Sequence, residues 1–221
     1  MYEVCGEREL KVVCALETGD SISGLARRID ENRETIRRVV ERLESAGFVE
    51  YDRGLHLVDS TIRSAGLEFL AAAADRSPPS IQDAYVLPQF ANMPYAFTSI
   101  DAVYVWTHGG YQVARDPTDY PLFIAVREVD LDDWSSFFDR FGISSARDRR
   151  PPDEFDGPIQ VVLDPQPAVE AELVDGRPVL PLQQTVDFAR DHYATFESAL
   201  DMLARLYDDI DTGTGYRLEP A

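Results

Sequence analysis

The sequence predicts an α+β fold, with three short helices and a β-hairpin first and a mixed α/β domain after them. Three observations carry this. Apolar residues recur at three- and four-residue steps between Leu10 and Leu43. Two alternating segments, Phe48–Tyr51 and Leu55–Val58, flank the turn Asp52-Arg53-Gly54. Beyond Ser77-Pro78-Pro79-Ser80, short β-branched and aromatic runs intermix with helical periods.

Leu10, Val13, Cys14 and Glu17 mark one face of the first helix, widened by Val12 and Leu16 and ended by Gly19. Ser21 or Ser23 caps a second helix whose core side is Ile22, Leu25 and Ala26. Ile29-Asp30-Glu31 is a turn. Asn32 caps a third helix that runs to Ala46, with Ile36, Val39, Val40 and Leu43 on its apolar side, and Gly47 stops it. The hairpin follows. A fourth helix carries Ile62, Gly66, Phe69, Leu70 and Ala73 on one side. After the linker, Ala102–Trp106, Tyr111–Ala114 and Leu122–Val126 read as strands. Leu131, Trp134, Phe138 and Phe141 mark a helix begun by Asp130, Asp132 and Asp133. Ile143–Gly157 reads as a polar loop carrying Arg147, Arg149 and Arg150. Strands are expected near Ile159–Leu163 and Val169–Val174, the latter followed by a turn through Val179. Two helices close the chain, one marked by Leu182, Val186, Ala189 and Tyr193, the other by Phe196, Leu200, Leu203 and Tyr207. The expected domains are residues 1–76 and 81–211, with a loose tail over 212–221.

Acids number 40 and bases 21, a net charge of −19, and Lys11 is the single lysine. A strongly acidic, nearly lysine-free composition resembles that of proteins from halophilic archaea, whose carboxylates hold water and cations while salt screens their repulsion. The charge is unevenly spread. Met1–Arg76 has 11 bases and 15 acids, a net of −4, and Ser77–Ala221 has 10 and 25, a net of −15. Arg27–Arg53 has seven of each and is neutral. No apolar run approaches the roughly eighteen residues of a membrane span, and the polar start MYEVCGEREL lacks a signal-peptide core, so a cytoplasmic protein without membrane contact is expected. Two cysteines make no disulfide framework: Cys14 reads as a small buried residue and Cys5 as exposed or disordered. His56, His108 and His192 share no ligand spacing with them, so no metal is expected.

Ser21–Ala46 has the parts of a helix-turn-helix: a short helix, a tight turn, and a second helix with one packed and one free face. The free face presents Arg33, Glu34, Arg37, Arg38 and Glu41. Arginine bridges guanine O6 and N7 or grips phosphate. Asn32, Arg33, Glu34, Thr35 and Arg37 lie at the helix start, where such helices read bases, with Arg33, Glu34 and Arg37 the foremost base readers. Arg38 and Arg42 face phosphate. Arg53 at the hairpin tip and His56 on its second strand are candidates for backbone or minor-groove contact. The partner is double-stranded DNA, bound by a homodimer. The competing expectation is a solvated face with internal ion pairs, Arg33–Arg37–Glu41 and Glu34–Arg38 among them.

The segment SISGLARRIDENRETIRRVVERLESAGFVEYDRGLHLV resembles the winged helix-turn-helix of bacterial and archaeal regulators such as the MarR, IclR and TrmB families. The matching residues are Leu25-Ala26-Arg27, Arg33–Arg38 and Leu43–Val49, about a quarter of the chain. The resemblance implies a DNA-binding transcriptional regulator; no phosphate-binding loop and no Ser/His/Asp or Cys/His constellation can be assembled from the residues, so no enzymatic activity and no cofactor are expected. Its second domain would take a protein partner or a small-molecule effector. Further on, VDGRPVLPLQQTVDFARDHYATFESALDML resembles the closing segment of the AbiEi-type antitoxin family. Those proteins join a winged helix to a nucleotidyltransferase-like domain, repress their own operons and counteract a nucleotidyltransferase toxin. An enzyme of that chemistry needs a Gly-Ser turn and an Asp-x-Asp pair for Mg²⁺. The nearest counterparts are Gly109-Gly110-Tyr111 with Asp116 and Asp119, which lack the Ser and the spacing, and they read as loop residues. His108 is the foremost catalytic candidate and reads better as a turn residue. Tyr104, Trp106 and Tyr111 read as core rather than as the lining of a ligand pocket.

Overall fold

Helix α1 (Glu7–Ala15) buries Val12, Val13, Cys14 and Ala15. The computed structural model describes residues 6–151, 154–207 and 210–213, so the expectations for Cys5 and for most of the tail lie outside the described residues. The chain leaves α1 earlier than Gly19, because Leu16 is already extended (ψ 124°). Ser21 rather than Ser23 caps α2 (Ile22–Arg28), its side chain accepting from the Gly24 amide at 3.0 Å. Asp30 turns the chain in the left-handed region (φ 56°). Asn32 Oδ1 then accepts from the Glu34 amide at 2.8 Å and starts α3 (Arg33–Ser45). Ile36, Val39, Val40 and Leu43 of α3 are buried, each stabilising the fold by about 1.5–3 kcal/mol.

Strands β1 (Val49–Tyr51) and β2 (Leu55–Leu57) form an antiparallel hairpin in which Glu50 faces His56. The hairpin is fastened to the loop before α2, with Gly19 N–H donating to Leu55 O at 2.9 Å and Leu55 N–H to Asp20 O at 2.8 Å. Gly54 sits there at φ +155°, where a Cβ would lie 2.6 Å from Gly19 O. Helix α4 (Thr61–Ala74) returns across α1. A Cβ on Gly66 would come within 3.1 Å of Cys14 Sγ, so the two helices meet closely.

The remainder builds around a six-stranded sheet of order β5-β6-β4-β3-β8-β7. A short helix α5 (Ile81–Val86), opened by the reciprocal Ser80/Asp83 capping box, leads through a 3₁₀ turn at Leu87–Phe90 into β3 (Tyr95–Phe97). Then come α6 (Ser99–Trp106), β4 (Tyr120–Arg127), α7 (Leu131–Asp139), β5 (Ser144–Ala146) and β6 (Ile159–Gln166). The hairpin β7 (Glu172–Val174) and β8 (Arg177–Val179) precedes α8 (Leu182–Asp191) and α9 (Tyr193–Leu206). β4 and β6 run parallel over their full length, from Tyr120↔Ile159 to Arg127↔Gln166. β5 is parallel to β6 and β3 to β8, while β3–β4 and β7–β8 are antiparallel. Leu122, Ile124, Ala125 and Val126 are fully buried although their side chains alternate, so both faces of the sheet are covered. Helix α7 contributes Trp134, Phe137 and Phe138 to that core.

The chain is therefore α+β, but several local expectations need correcting. Ala102–Trp106 is helical: its Ala102, Val103, Val105 and Trp106 are all buried, so α6 has no polar face and shows no helical period. Tyr111–Ala114 is irregular, its ends tied down by side chains. The Tyr111 amide donates to Thr107 Oγ1 at 3.1 Å, and Arg115 Nη1 donates to Pro121 O at 2.7 Å. The loop Ile143–Gly157 contains β5, whose Ser-Ser-Ala sequence carries no strand signature. The strand expected over Val169–Val174 begins at Glu172, and the expected turn after it contains β8. Thr212 is buried, so the tail stays packed at least that far.

Candidate nucleic-acid interface

Helix α3 projects its polar face outward because four apolar residues fix the other face inward. Arg33, Glu34, Arg37, Arg38 and Arg42 are all exposed, and Thr35 is half-buried. The exposed face is internally paired. Arg37 donates to both oxygens of Glu34, Nη2 at 2.6 Å and Nε at 2.9 Å, and reaches Glu41 through Nη1 at 2.6 Å. Arg38 Nε lies 3.4 Å from the same Glu34. Hydrogen bonds from Arg37, with the charges of Arg37 and Arg38 behind them, hold the Glu34 carboxyl down at about 2. The Arg37–Glu41 and Glu34–Arg38 pairs are thus present. Arg33 takes no part, and it makes no ion pair among the described residues.

Arg42 is committed elsewhere: it pairs with Glu9, a buried carboxylate of α1. That partner lies far away in sequence, and nothing in the sequence pointed to it. His56 Nε2 stands 3.4 Å from Glu50 across the hairpin. Arg53 occupies the hairpin tip at φ 57°, exposed and without an ion pair among the described residues. Among the described residues, Arg33 at the start of α3, Arg53 at the end of the hairpin and Arg27 on α2, whose Nε donates to Ser23 O at 3.3 Å, are exposed cations here that no carboxylate holds.

Arg28 ends α2 and locks the segment behind α3. It donates to Ala15 O at 2.8 Å, pairs with Glu17 at 3.2 Å, and binds Asp20. The β7–β8 hairpin abuts the same place. A Cβ on Gly176 would lie 2.9 Å from the Arg28 amide nitrogen, and Arg177 reaches Asp30 at 3.5 Å. A cleft of about 530 Å³ opens beside this contact, lined by Arg27, Asn32, His108 and Asp175 among others. Asp30, His108 and Asp175, three of the left-handed non-glycine residues, all line it. Such conformations cost energy and persist where the surroundings enforce them. His108 Nδ1 is 2.6 Å from Asp175 Oδ2, and its Nε2 is 3.3 Å from the Tyr207 hydroxyl.

The other charged clusters serve the fold. Asp101 is completely buried and accepts a bidentate pair from Arg115 at 2.8 and 3.1 Å, the Phe123 amide at 2.8 Å, and the Tyr85 hydroxyl. Arg115 also lies over the Tyr120 ring at 4.2 Å. Burial, and then the charge of Asp101, push the Tyr85 hydroxyl far above the ordinary phenol range. Asp116 caps its own turn through Thr118, and Asp119 pairs with Arg149 at 2.6 Å. Trp106 is buried against Tyr207 as expected, but Tyr104, though packed on Tyr85, is half-buried and lines the cleft beside His108. Among the described residues no group of three or more His, Cys, Asp and Glu is placed to hold a metal ion, and no helix is long and apolar enough to cross a membrane. No protein-family model matches the chain, and neither a curated protein nor a solved structure does.

Proposed function

We propose that this chain is a DNA-binding transcriptional regulator. In this reading residues 1–76 are a winged helix-turn-helix domain in which α2 and α3 are the helix-turn-helix and β1–β2 is the wing. Residues 81–211 are a regulatory or partner-binding domain. The recognition helix, 32–46, lies in the major groove, and the wing, 48–58, touches the backbone or the minor groove. The observation that supports it best is the split of α3: a fully packed apolar face opposite an open face bearing Arg33, Arg37 and Arg38. The ion pairs do not oppose this reading. Exposed pairs of this kind are weak, so a guanine edge or phosphate can replace a carboxylate partner of Arg37. The Arg33/Arg37/Arg38 triple alanine variant tests it against duplexes selected from a random pool. Loss of binding is expected, and unchanged affinity ends the assignment.

We read the active species as a homodimer on a pseudo-palindrome, since one such helix reads only a few base pairs. Phe69 of α4 is 61% exposed beside an apolar groove lined by Leu10, Phe48 and Ile62. A chain that sediments as a monomer, both free and on a single short site, removes this part of the reading.

A further inference from the structure

Three consecutive residues of the β7–β8 turn join the sheet domain to the first helices. Asp175 Oδ2 lies 2.6 Å from His108 Nδ1, just past the end of α6. Gly176 packs so closely on Arg28 that an added Cβ would lie 2.9 Å from the Arg28 amide nitrogen. Arg177 reaches Asp30, in the turn before α3, at 3.5 Å. Whatever fixes Asp175 on His108 therefore also fixes the segment between α2 and α3. The hydrogen bonds around His108 define its protonation state. The Tyr207 hydroxyl donates to Trp106 O at 3.0 Å, which uses its single proton. Burial, and then the charges of Asp175 and Glu172, push that hydroxyl above the ordinary phenol range, so the proton stays. The Tyr207 oxygen, 3.3 Å from His108 Nε2, is then an acceptor, and Nε2 must carry a hydrogen. The Asp175 carboxylate also only accepts, so Nδ1 must carry one too. A neutral imidazole has one N–H and an imidazolium has two, so the imidazolium alone satisfies both contacts.

We propose that His108 and Asp175 form a proton-dependent clamp: with His108 protonated the β7–β8 turn is held on α6 and on the segment between α2 and α3, and loss of the proton loosens it. Either neutral tautomer gives up one of the two bonds to the ring. Histidine is the side chain that ordinarily changes charge between about pH 5 and 8, and the His108 side chain is 45% exposed, so solvent protons reach it. Across the cleft Arg27 and Arg177 stand against Asp30 and Glu31, two cations and two carboxylates. Among the described residues these offset one another, and Asp175 is the charge that decides the ring. A pair that needs the imidazolium is complete at acid pH and is lost as pH rises through the titration of the ring. His108 and Asp175 both hold left-handed backbone, at φ 50° and 51°, a conformation that persists only where contacts enforce it. The clamp stands on this geometry and does not rest on the DNA-binding reading above.

The test uses the ¹⁵N-labelled full chain at about pH 5.5 and about pH 8, which bracket the ordinary titration of histidine. Ring nitrogen shifts read the protonation of His108, and both nitrogens are expected to be protonated at the lower pH. Hydrogen exchange, corrected for its intrinsic pH dependence, reads the clamp at the amides of β8 and at the Glu31 amide, which donates to Ala26 O at 2.9 Å in the turn before α3. These amides are expected to be about threefold better protected at the lower pH, a modest factor that suits a half-exposed pair. Asp175→Asn and His108→Asn are each expected to abolish the difference and keep the fold, since asparagine tolerates the left-handed backbone found at both positions. A ring that is neutral at about pH 5.5 overturns the clamp, as does protection that is flat or rises with pH. A pH difference that survives in either variant does the same. The expected pattern in a chain that binds no duplex DNA upholds the clamp and removes the DNA-binding reading instead.

Discussion

Arg37 is held between Glu34 and Glu41 by exposed, weak pairs, and in the proposed DNA-binding reading a guanine edge would replace them. Exposed pairs are screened by salt, whereas a bidentate contact to guanine is made inside a groove that excludes much of the water. Arg37→Ala is therefore expected to lower operator affinity roughly ten- to a hundredfold and to relax preference at one base pair. Competition binding against single-base operator variants reads both, and a uniform loss across all sequences would reassign Arg37 to phosphate. Asp101 stands at the other extreme. It has no water to fall back on, and Arg115, Tyr85 and the Phe123 amide all depend on it. Asp101→Ala leaves the buried Arg115 charge unanswered and should cost about 3–5 kcal/mol in urea unfolding. Cys14 gives a pH dependence. Burial pushes its thiol up to about 12, above the unfolded value near 9, so the folded state holds this proton more tightly. Its contribution is complete below about 9 and is lost as pH rises toward 12. In a Cys5→Ser background, iodoacetamide at pH 8 should label Cys14 only after unfolding, and rapid labelling of the native chain would contradict this burial.

At the scale of elements, amphipathic segments could be read from the sequence and uniform or very short ones could not. Helices α1 to α3 were legible because apolar and polar residues divide between faces at the helical period, whereas the side expected of α4 is not its buried one: only Gly66 and Ala74 are buried there, and Phe69 and Ala73 are exposed. Helix α6 was not legible, since burial on every side erases that period. β3 and β5 are three residues each and find their partners beyond the next element or loop, so no local pattern announces them, while β8, joined to β7 by the Asp175-Gly176 turn, was read as part of that turn. The same division holds for the candidate interface. The free face of α3 follows from spacing, but the diversion of Arg42 to Glu9 and the docking of Gly176 on Arg28 are long-range contacts. Gly54 offers a test of the hairpin. Its φ of +155° and the 2.6 Å separation of an added Cβ from Gly19 O leave no room for a side chain. Gly54→Ala should lose about 1–3 kcal/mol and release the Leu55 amide to hydrogen exchange, while amides of β4 stay protected. Equal loss of protection in both places would show that the hairpin does not yield separately.

For the whole molecule the governing quantity is the net charge of −19. Lys11, the single lysine, is spent inside the fold, bridging Glu7 at 3.0 Å and Asp83 at 3.2 Å. The remaining bases are arginines, many of them paired with neighbouring carboxylates. Unpaired carboxylates repel one another at low salt and destabilise the compact state. At 1 M salt the Debye length falls to about 3 Å and this repulsion is screened. The melting temperature is therefore expected to rise between 0.1 M and about 2 M KCl. Salt also weakens phosphate contacts, because the gain from releasing counterions shrinks. In the proposed DNA-binding reading, a chain whose Arg27–Arg53 segment is neutral has little basic surface to lose, so binding should lean on base hydrogen bonds and DNA shape and fall only shallowly with salt. Melting and operator binding measured in one KCl series separate the two effects. A steep loss of binding with a rising melting temperature would leave the acidic fold adapted to salt but make phosphate the main contact. A melting temperature that is flat or falling would mean that the carboxylates answer something other than salt, and a basic protein partner would be the first candidate to titrate against the chain.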